Sequence, residues 1–202
     1  MYGDLPEKPR GLHISFNAPV ILIFSALCVC ATALGVVTNG AATRTLFSTY
    51  RAPLYDPLMY LRLITHVFGH GGWDHLVSNM AYILLLGPLL EEKYGSRTLV
   101  YVILLTAGIT GVLNNLFFPN VALCGASGVC FAFILLSSIT SLREGEIPLT
   151  FILVAVLFLG GQVLDGLFAR DNISQFGHIV GGIVGAGLGF ALSGRRALDA
   201  QS

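Results

Sequence analysis

The sequence predicts an all-α membrane protein, a compact bundle of six transmembrane helices with a large first outer loop. Composition is the first observation behind this. The 202 residues are 54% hydrophobic and only 11% charged, against about 25% charged in soluble domains. A water-soluble fold of this size would have too little polar surface to cover itself, a requirement that a bilayer removes. The second observation is segment length, since crossing the hydrocarbon takes about 20 apolar residues in a helix. Six segments come near that, at about 19–37, 75–92, 98–118, 122–142, 148–168 and 174–193. The third is the spacing between them: one connection is long, about 38–74, and carries Pro53, Pro57, Trp73 and a cluster of polar groups.

Residues 1–18 form a polar segment with Asp4, Glu7, Lys8 and Arg10, and lack a short apolar stretch followed by a cleavage site. The first apolar run therefore reads as a retained span rather than a removed signal peptide. Residues 19–193 make up the helical domain and 194–202 a tail. With the amino terminus inside, Lys8, Arg10, Lys93, Arg97, Arg143, Arg195 and Arg196 collect on the cytoplasmic side. Arg44, Arg51, Arg62 and Arg170 fall on the other. That bias puts both termini in the cytoplasm. It also sets the first loop and the starts of the fourth and sixth spans at one outer surface. The minimal build suggests a bacterial cytoplasmic membrane. A net charge of zero gives no basic stripe for a nucleic-acid partner. Cys28, Cys30, Cys124 and Cys130 form no CxxC pair and read as small buried hydrophobes.

Two spans are weaker by hydropathy, the second and the sixth, because each contains histidine; such spans are where function is sought. In the sixth, Gly181, Gly185 and Gly189 repeat every four residues and form a smooth face that lets another helix come close. His178 lies on or beside that face. Gly125-Ala126-Ser127-Gly128 opens the fourth span. Alone the tetrapeptide is weak evidence in a chain with 24 glycines. Its location adds value: Ser127 would sit in a helix's first turn, where free N–H groups and the dipole favour a developing oxyanion. The glycine face would bring His178 within hydrogen-bonding reach of it. At the entry to the second span stand His66, His70, His75 and Asn79. His75 and Asn79 are i, i+4 on one face and offer an imidazole N–H and an amide as donors. His66, His70 and His75 with Asp74 equally suit zinc, and spacing alone leaves the two readings open.

Taken in order, Arg62-x2-Thr65-His66-x3-His70-x4-His75-x3-Asn79, then Glu91 and Gly95, then Gly-Ala-Ser-Gly, then Gly177-His178-x2-Gly181-x3-Gly185, resemble the rhomboid proteases. The match runs from about Leu61 to Gly189, and three separated motifs together are far more specific than one. The resemblance implies an intramembrane serine endopeptidase acting on transmembrane protein substrates in the lipid bilayer, with no metal or organic cofactor. Ser127 would be the nucleophile and His178 its base, in a dyad without a third carboxylate. His75 and Asn79 would stabilise the oxyanion. His66 and His70 would be structural, holding the first loop, which demotes zinc. Glu91 would be a structural carboxylate near the inner helix ends, and Gly181 and Gly185 the contact between the fourth and sixth spans. The chain departs from the family pattern at Leu61, where tryptophan often precedes the arginine, and at Phe131, often tyrosine.

The fifth span, with Gly160-Gly161 and Asp165-Gly166, is a candidate mobile gate, with ordinary packing as the competing role. Rival classes are a catalytically silent rhomboid-like substrate-binding protein, a small six-helix transporter and a zinc hydrolase. No inverted repeat of the transporter kind is visible. Oligomeric state is open, because glycine faces serve internal packing as readily as dimers.

Overall fold

A computed structural model describes residues 16–139, 147–168 and 173–199, with side chains described over 16–139, 147–161 and 176–192. The described residues form helices α1 (Pro19–Val37), α2 (Ala41–Leu46), α3 (Pro57–Thr65), α4 (Trp73–Tyr94), α5 (Ser96–Phe117), α6 (Ser127–Ser138), α7 (Leu149–Phe168) and α8 (Ile173–Asp199). Among them there is no strand, only an isolated bridge between Thr49 and Leu123. Among the described residues two helices, α1 and α5, are long and apolar enough to cross a membrane.

The expected helices are present, with three differences. Helix α6 starts at Ser127, not near 122. Residues 122–126 are apolar enough to read as span, but Leu123 exchanges backbone hydrogen bonds of 2.9 Å with Thr49. Gly125, at φ +125°, then breaks any helix. The twelve residues of α6 rise about 18 Å, well short of an about 30 Å core. Secondly, the long first loop contains α2 and α3. Asp56 caps α3 by accepting from Leu58 N at 2.9 Å, and Pro57 at its first position needs no hydrogen-bond partner. Thirdly, α8 continues past 193 through Arg195 and Arg196 to Asp199.

Glu91, buried near the end of α4, closes one end of the bundle. Its carboxylate accepts from Val20 N and Ile21 N at 3.1 Å each and from Ser96 Oγ at 2.7 Å. Two orphan donors of α1's first turn are thereby paired with a negative charge, which the helix dipole also favours. Close by, Gly87 admits Ile21, whose Cδ1 would stand 2.6 Å from any added Cβ.

The centre is the α6–α8 pair. A Cβ on Gly181 would meet the Gly128 carbonyl and lie 2.8 Å from Gly128 Cα. One on Gly185 would meet the Ala132 carbonyl and lie 2.6 Å from Ala132 Cα. One on Gly189 would press on Ile139 at 2.9 Å. The three glycines therefore all face α6, and two of them touch backbone, which cannot move aside as a flexible side chain can. Gly187, two residues from Gly185 and so on the opposite side of α8, meets nothing within 4 Å among the described residues.

Gly185→Ala should therefore force the two helices apart, at a cost of about 1–3 kcal/mol and several degrees of Tm. Gly187→Ala should leave Tm unchanged or slightly raised. Thermal unfolding of both purified variants in one detergent checks the contrast, and equal Tm values would refute the close-packing account.

Candidate active site

Ser127 is the first residue of α6, half-buried, in the turn whose N–H groups have no intrahelical acceptors. Phe131, one turn on and on the same face, stacks on His178 with centroids 4.5 Å apart and planes 6° from parallel. A Cβ on Gly128 would lie 3.5 Å from the Gly177 carbonyl. The residues that flank Ser127 and His178 are thus in contact, and the imidazole lies against the helix face that carries Ser127. The described hydrogen bonds do not include one between Ser127 and His178.

His75 and Asn79 converge on the same place from α4. At Gly125 a Cβ would fall 2.9 Å from His75 Cε1 and Nε2, and 3.7 Å from Asn79 Nδ2. Both sterics and the positive φ therefore require glycine two residues before Ser127. Gly71 N donates to His75 Nδ1 at 3.4 Å, which leaves Nε2 to carry the proton and serve as a donor. Asn79 is buried, and among the described residues its Nδ2 has no hydrogen-bond partner. An orphaned buried donor costs about 1–3 kcal/mol and calls for an explanation. Its oxygen end is held on the other side, where Cys130 Sγ–H reaches Asn79 O at 3.5 Å and Oδ1 at 3.7 Å.

His66 and His70 do more than fix the first loop, because both grip the two residues before Ser127. Gly125 N donates to the His66 carbonyl at 2.9 Å. Ala126 N faces His70 Nε2 at 3.4 Å, while His70 Nδ1 faces Phe68 O at 3.1 Å. The pattern fits a neutral ring with its proton on Nδ1. His66 Nδ1 faces Arg62 O at 3.2 Å and its Nε2 faces Thr110 Oγ1 at 3.4 Å, so its ring nitrogens are directed away from a centre shared with His70 and His75. Burial pushes the His66 pKa down to about 4. Burial, and then the neighbouring His75, push that of His70 down to about 4.

The departure at Leu61 does not loosen the loop, since Arg62 anchors it. Its guanidinium pairs with Asp56 at 2.7 Å, donates to Tyr50 Oη at 3.0 Å and lies 4.3 Å over the Tyr50 ring. Composition and spacing gave no sign of this cluster, of the Thr49–Leu123 bridge or of the Cys130–Asn79 contact. All three join segments that are distant in sequence or have no motif. The side chain of Asp165 lies outside the described residues.

A family model for the Rhomboid domain matches residues 57–195. The chain belongs to the rhomboid family. It is 30% identical over 142 residues to Rhomboid-related protein 1 of Caenorhabditis elegans, covering 65% of this chain and 39% of that one. It is 32% identical over 156 residues to Rhomboid protease GluP of Bacillus subtilis, covering 73% and 29%. It is 24% identical over 148 residues to Rhomboid-like protein 11, chloroplastic, of Arabidopsis thaliana, covering 66% and 53%. This rhomboid protein therefore spans between about a third and about half the length of these relatives. Family membership makes it an integral membrane protein. The relatives come from an animal, a bacterium and a plant, so they do not single out a bacterial source.

The two depressed histidines set an acid limit. With folded pKa values near 4 against an ordinary 6.5, the unfolded chain binds more protons between those values. Their contribution is therefore whole above pH 6.5 and lost as pH falls toward 4. Tm measured across that range should drop on acidification, and His70→Gln should flatten the drop. An unchanged slope in the variant would show that His70 is not one of the groups responsible.

Proposed function

We propose that this rhomboid protein is an intramembrane serine endopeptidase that hydrolyses peptide bonds in or near the transmembrane segments of other membrane proteins. The observation that carries the reading is the orphaned Asn79 Nδ2 beside the His75 Nε2 donor, both next to the Gly125–Ser127 turn. Two donors left unused at a helix N-terminus suit an oxygen that gains charge only in the transition state.

In this mechanism the substrate carbonyl approaches Ser127, and His178 accepts the hydroxyl proton as Oγ attacks. Stacking on Phe131 limits the rotation of the imidazole, and the serine–histidine hydrogen bond would form as substrate binds, since catalytic contacts are often long in the free enzyme. His75, Asn79 and free N–H groups of α6's first turn stabilise the tetrahedral oxyanion. The amine leaves with the proton from His178, and water then resolves the acyl-enzyme by the same base.

Residues 19–193 would form one domain with six spans, α1, α4, α5, α6, α7 and α8, and both termini in the cytoplasm. Short α6 is then supported by its neighbours and leaves its N-terminus below the outer surface in a water-filled recess. Substrate would enter laterally past α7. Among the described residues Gly160 and Gly161 have nothing within 4 Å where a Cβ would sit, which is compatible with a loosely packed α7. A substrate helix must unwind locally before its carbonyl is accessible, so helix-destabilising residues near the scissile bond should favour cleavage.

Some relatives bear the name rhomboid-like rather than protease, which keeps a catalytically silent substrate-binding protein as the second reading. The test is cleavage of a model single-span substrate in liposomes, with fluorophosphonate labelling alongside. Wild type should cut and label, Ser127→Ala and His178→Ala should be silent, and Asn79→Ala should lose kcat by on the order of 10²-fold. A folded wild type that neither cuts nor labels supports the silent protein. Cutting by Ser127→Ala would overturn the dyad.

A further inference from the structure

A cavity of about 410 Å³ lies at the C-terminal end of α1, between that helix, α2 and the turn at Gly71 and Gly72. Its size falls within the usual range for small-molecule sites, about 300–1,000 Å³. Among its lining residues Arg44 carries the only formal charge, and no carboxylate is present. The Arg44 guanidinium lies over Gly40, where an added Cβ would come within 3.3 Å of Nη1. Asn39 holds the left-handed turn that leads into α2, at φ +51°. Neither the Asn39 amide, the Thr43 hydroxyl nor the Arg44 guanidinium makes a side-chain hydrogen bond among the described residues.

A fork of guanidinium donors with an amide and a hydroxyl beside it, and no acid to neutralise it, is the donor set for a tetrahedral oxyanion. Phosphate is the group that suits it. At a membrane surface phosphate is most concentrated in lipid headgroups, and in the proposed orientation this end of α1 faces the outer leaflet. We propose that the cavity binds a phosphate-bearing anion, which in the bilayer is the headgroup of an anionic phospholipid.

The site is not separate from the chemistry. His70 lines the cavity and also faces Ala126 N, and Gly71 N donates to His75. An occupant therefore touches the two segments that hold the Ser127 turn and an oxyanion donor. That coupling rests on the protease reading, whereas binding itself does not.

Binding can be read without activity, because Trp73 is the sole tryptophan of the chain and adjoins Gly72 of the lining. The experiment is a fluorescence titration of the full chain in a zwitterionic detergent with short-chain phosphatidylglycerol, short-chain phosphatidylcholine and inorganic phosphate. Phosphatidylglycerol should give a saturable change, weakened at least about tenfold in Arg44→Ala and in Arg44→Glu, with Tm confirming that both variants are folded. Tighter binding of phosphatidylglycerol than of inorganic phosphate identifies the lipid as occupant. Equal binding of the two identifies free phosphate and overturns the lipid assignment. Titrations unchanged in both Arg44 variants, or an equal response to phosphatidylcholine, overturn the anion site. In liposomes, phosphatidylglycerol should alter wild-type cleavage several-fold and leave Arg44→Ala at its basal rate. Binding without that change would overturn the coupling alone.

Discussion

The contact on which the rest of the site depends is the backbone approach of α8 to α6. Two helices can come this close only where one lacks Cβ atoms, and Gly181 and Gly185 remove them directly opposite Gly128 and Ala132. In lipid no hydrophobic force drives helices together, so van der Waals contact over such a face must supply much of the association. The register it fixes also fixes the chemistry. With Gly181 seated on Gly128, the preceding turn of α8 brings Gly177 to the start of α6 and sets His178 over Phe131. A helix rotated by one residue would lose both at once.

Holding α6 in place is only half of the requirement, because its N-terminus must end in a defined turn. Here the polar residues of the first loop act at a distance in sequence. His66 and His70 each bind one backbone N–H of the Gly125–Ala126 pair, and Thr49 pairs with Leu123 just before it. Asn114 adds a side-chain bond to Val121 O at 3.1 Å. A buried turn of this kind would otherwise leave unpaired backbone groups. His66 supplies its carbonyl and His70 its ring, and a neutral imidazole suits the task because it offers one donor and one acceptor without the desolvation cost of a charge. Beside them Asn79 Nδ2 stands out because it faces the turn and, among the described residues, has no partner.

Much of this was legible in the sequence, and the parts that were not have a common physical cause. Apolar runs located the long helices, the four-residue glycine repeat marked the face of α8, and the histidine spacing placed His75 and Asn79 on one side of α4. Each of those signals is local and periodic. The start of α6 differs from the expected 122 because hydropathy sees Ala122, Leu123 and Cys124 as more of the same span. The bridge to Thr49 and the backbone at Gly125 are tertiary facts. For the same reason Glu91 reads as a carboxylate near helix ends, while its two bonds to α1's first turn require a partner about 70 residues away. His66 and His70 read from the resemblance as residues that hold the first loop. What they hold, the turn before the serine, depends on how the loop folds back.

The packing is also uneven, in a way that bears on how a protease could work in lipid. On one side of the Ser127–His178 pair lie α4, α5 and α6, whose inward side chains, among them Ile83, Ala107 and Phe133, are fully buried while Leu85 and Tyr101 on the outward faces are exposed. On the other side α7 exposes Ile152, Leu153, Val156 and Leu157, and meets the site through ring edges, Phe158 lying 6.1 Å from Phe131. Edge contacts of that kind separate at far lower cost than glycine-to-backbone contacts. An oxyanion site has to be rigid, since its donors act only if they are in position before the charge develops. A lateral entrance has to give way. In the proposed mechanism the first demand falls to α8's glycines and the loop histidines and the second to α7, so that a substrate would enter without disturbing the turn that carries Ser127.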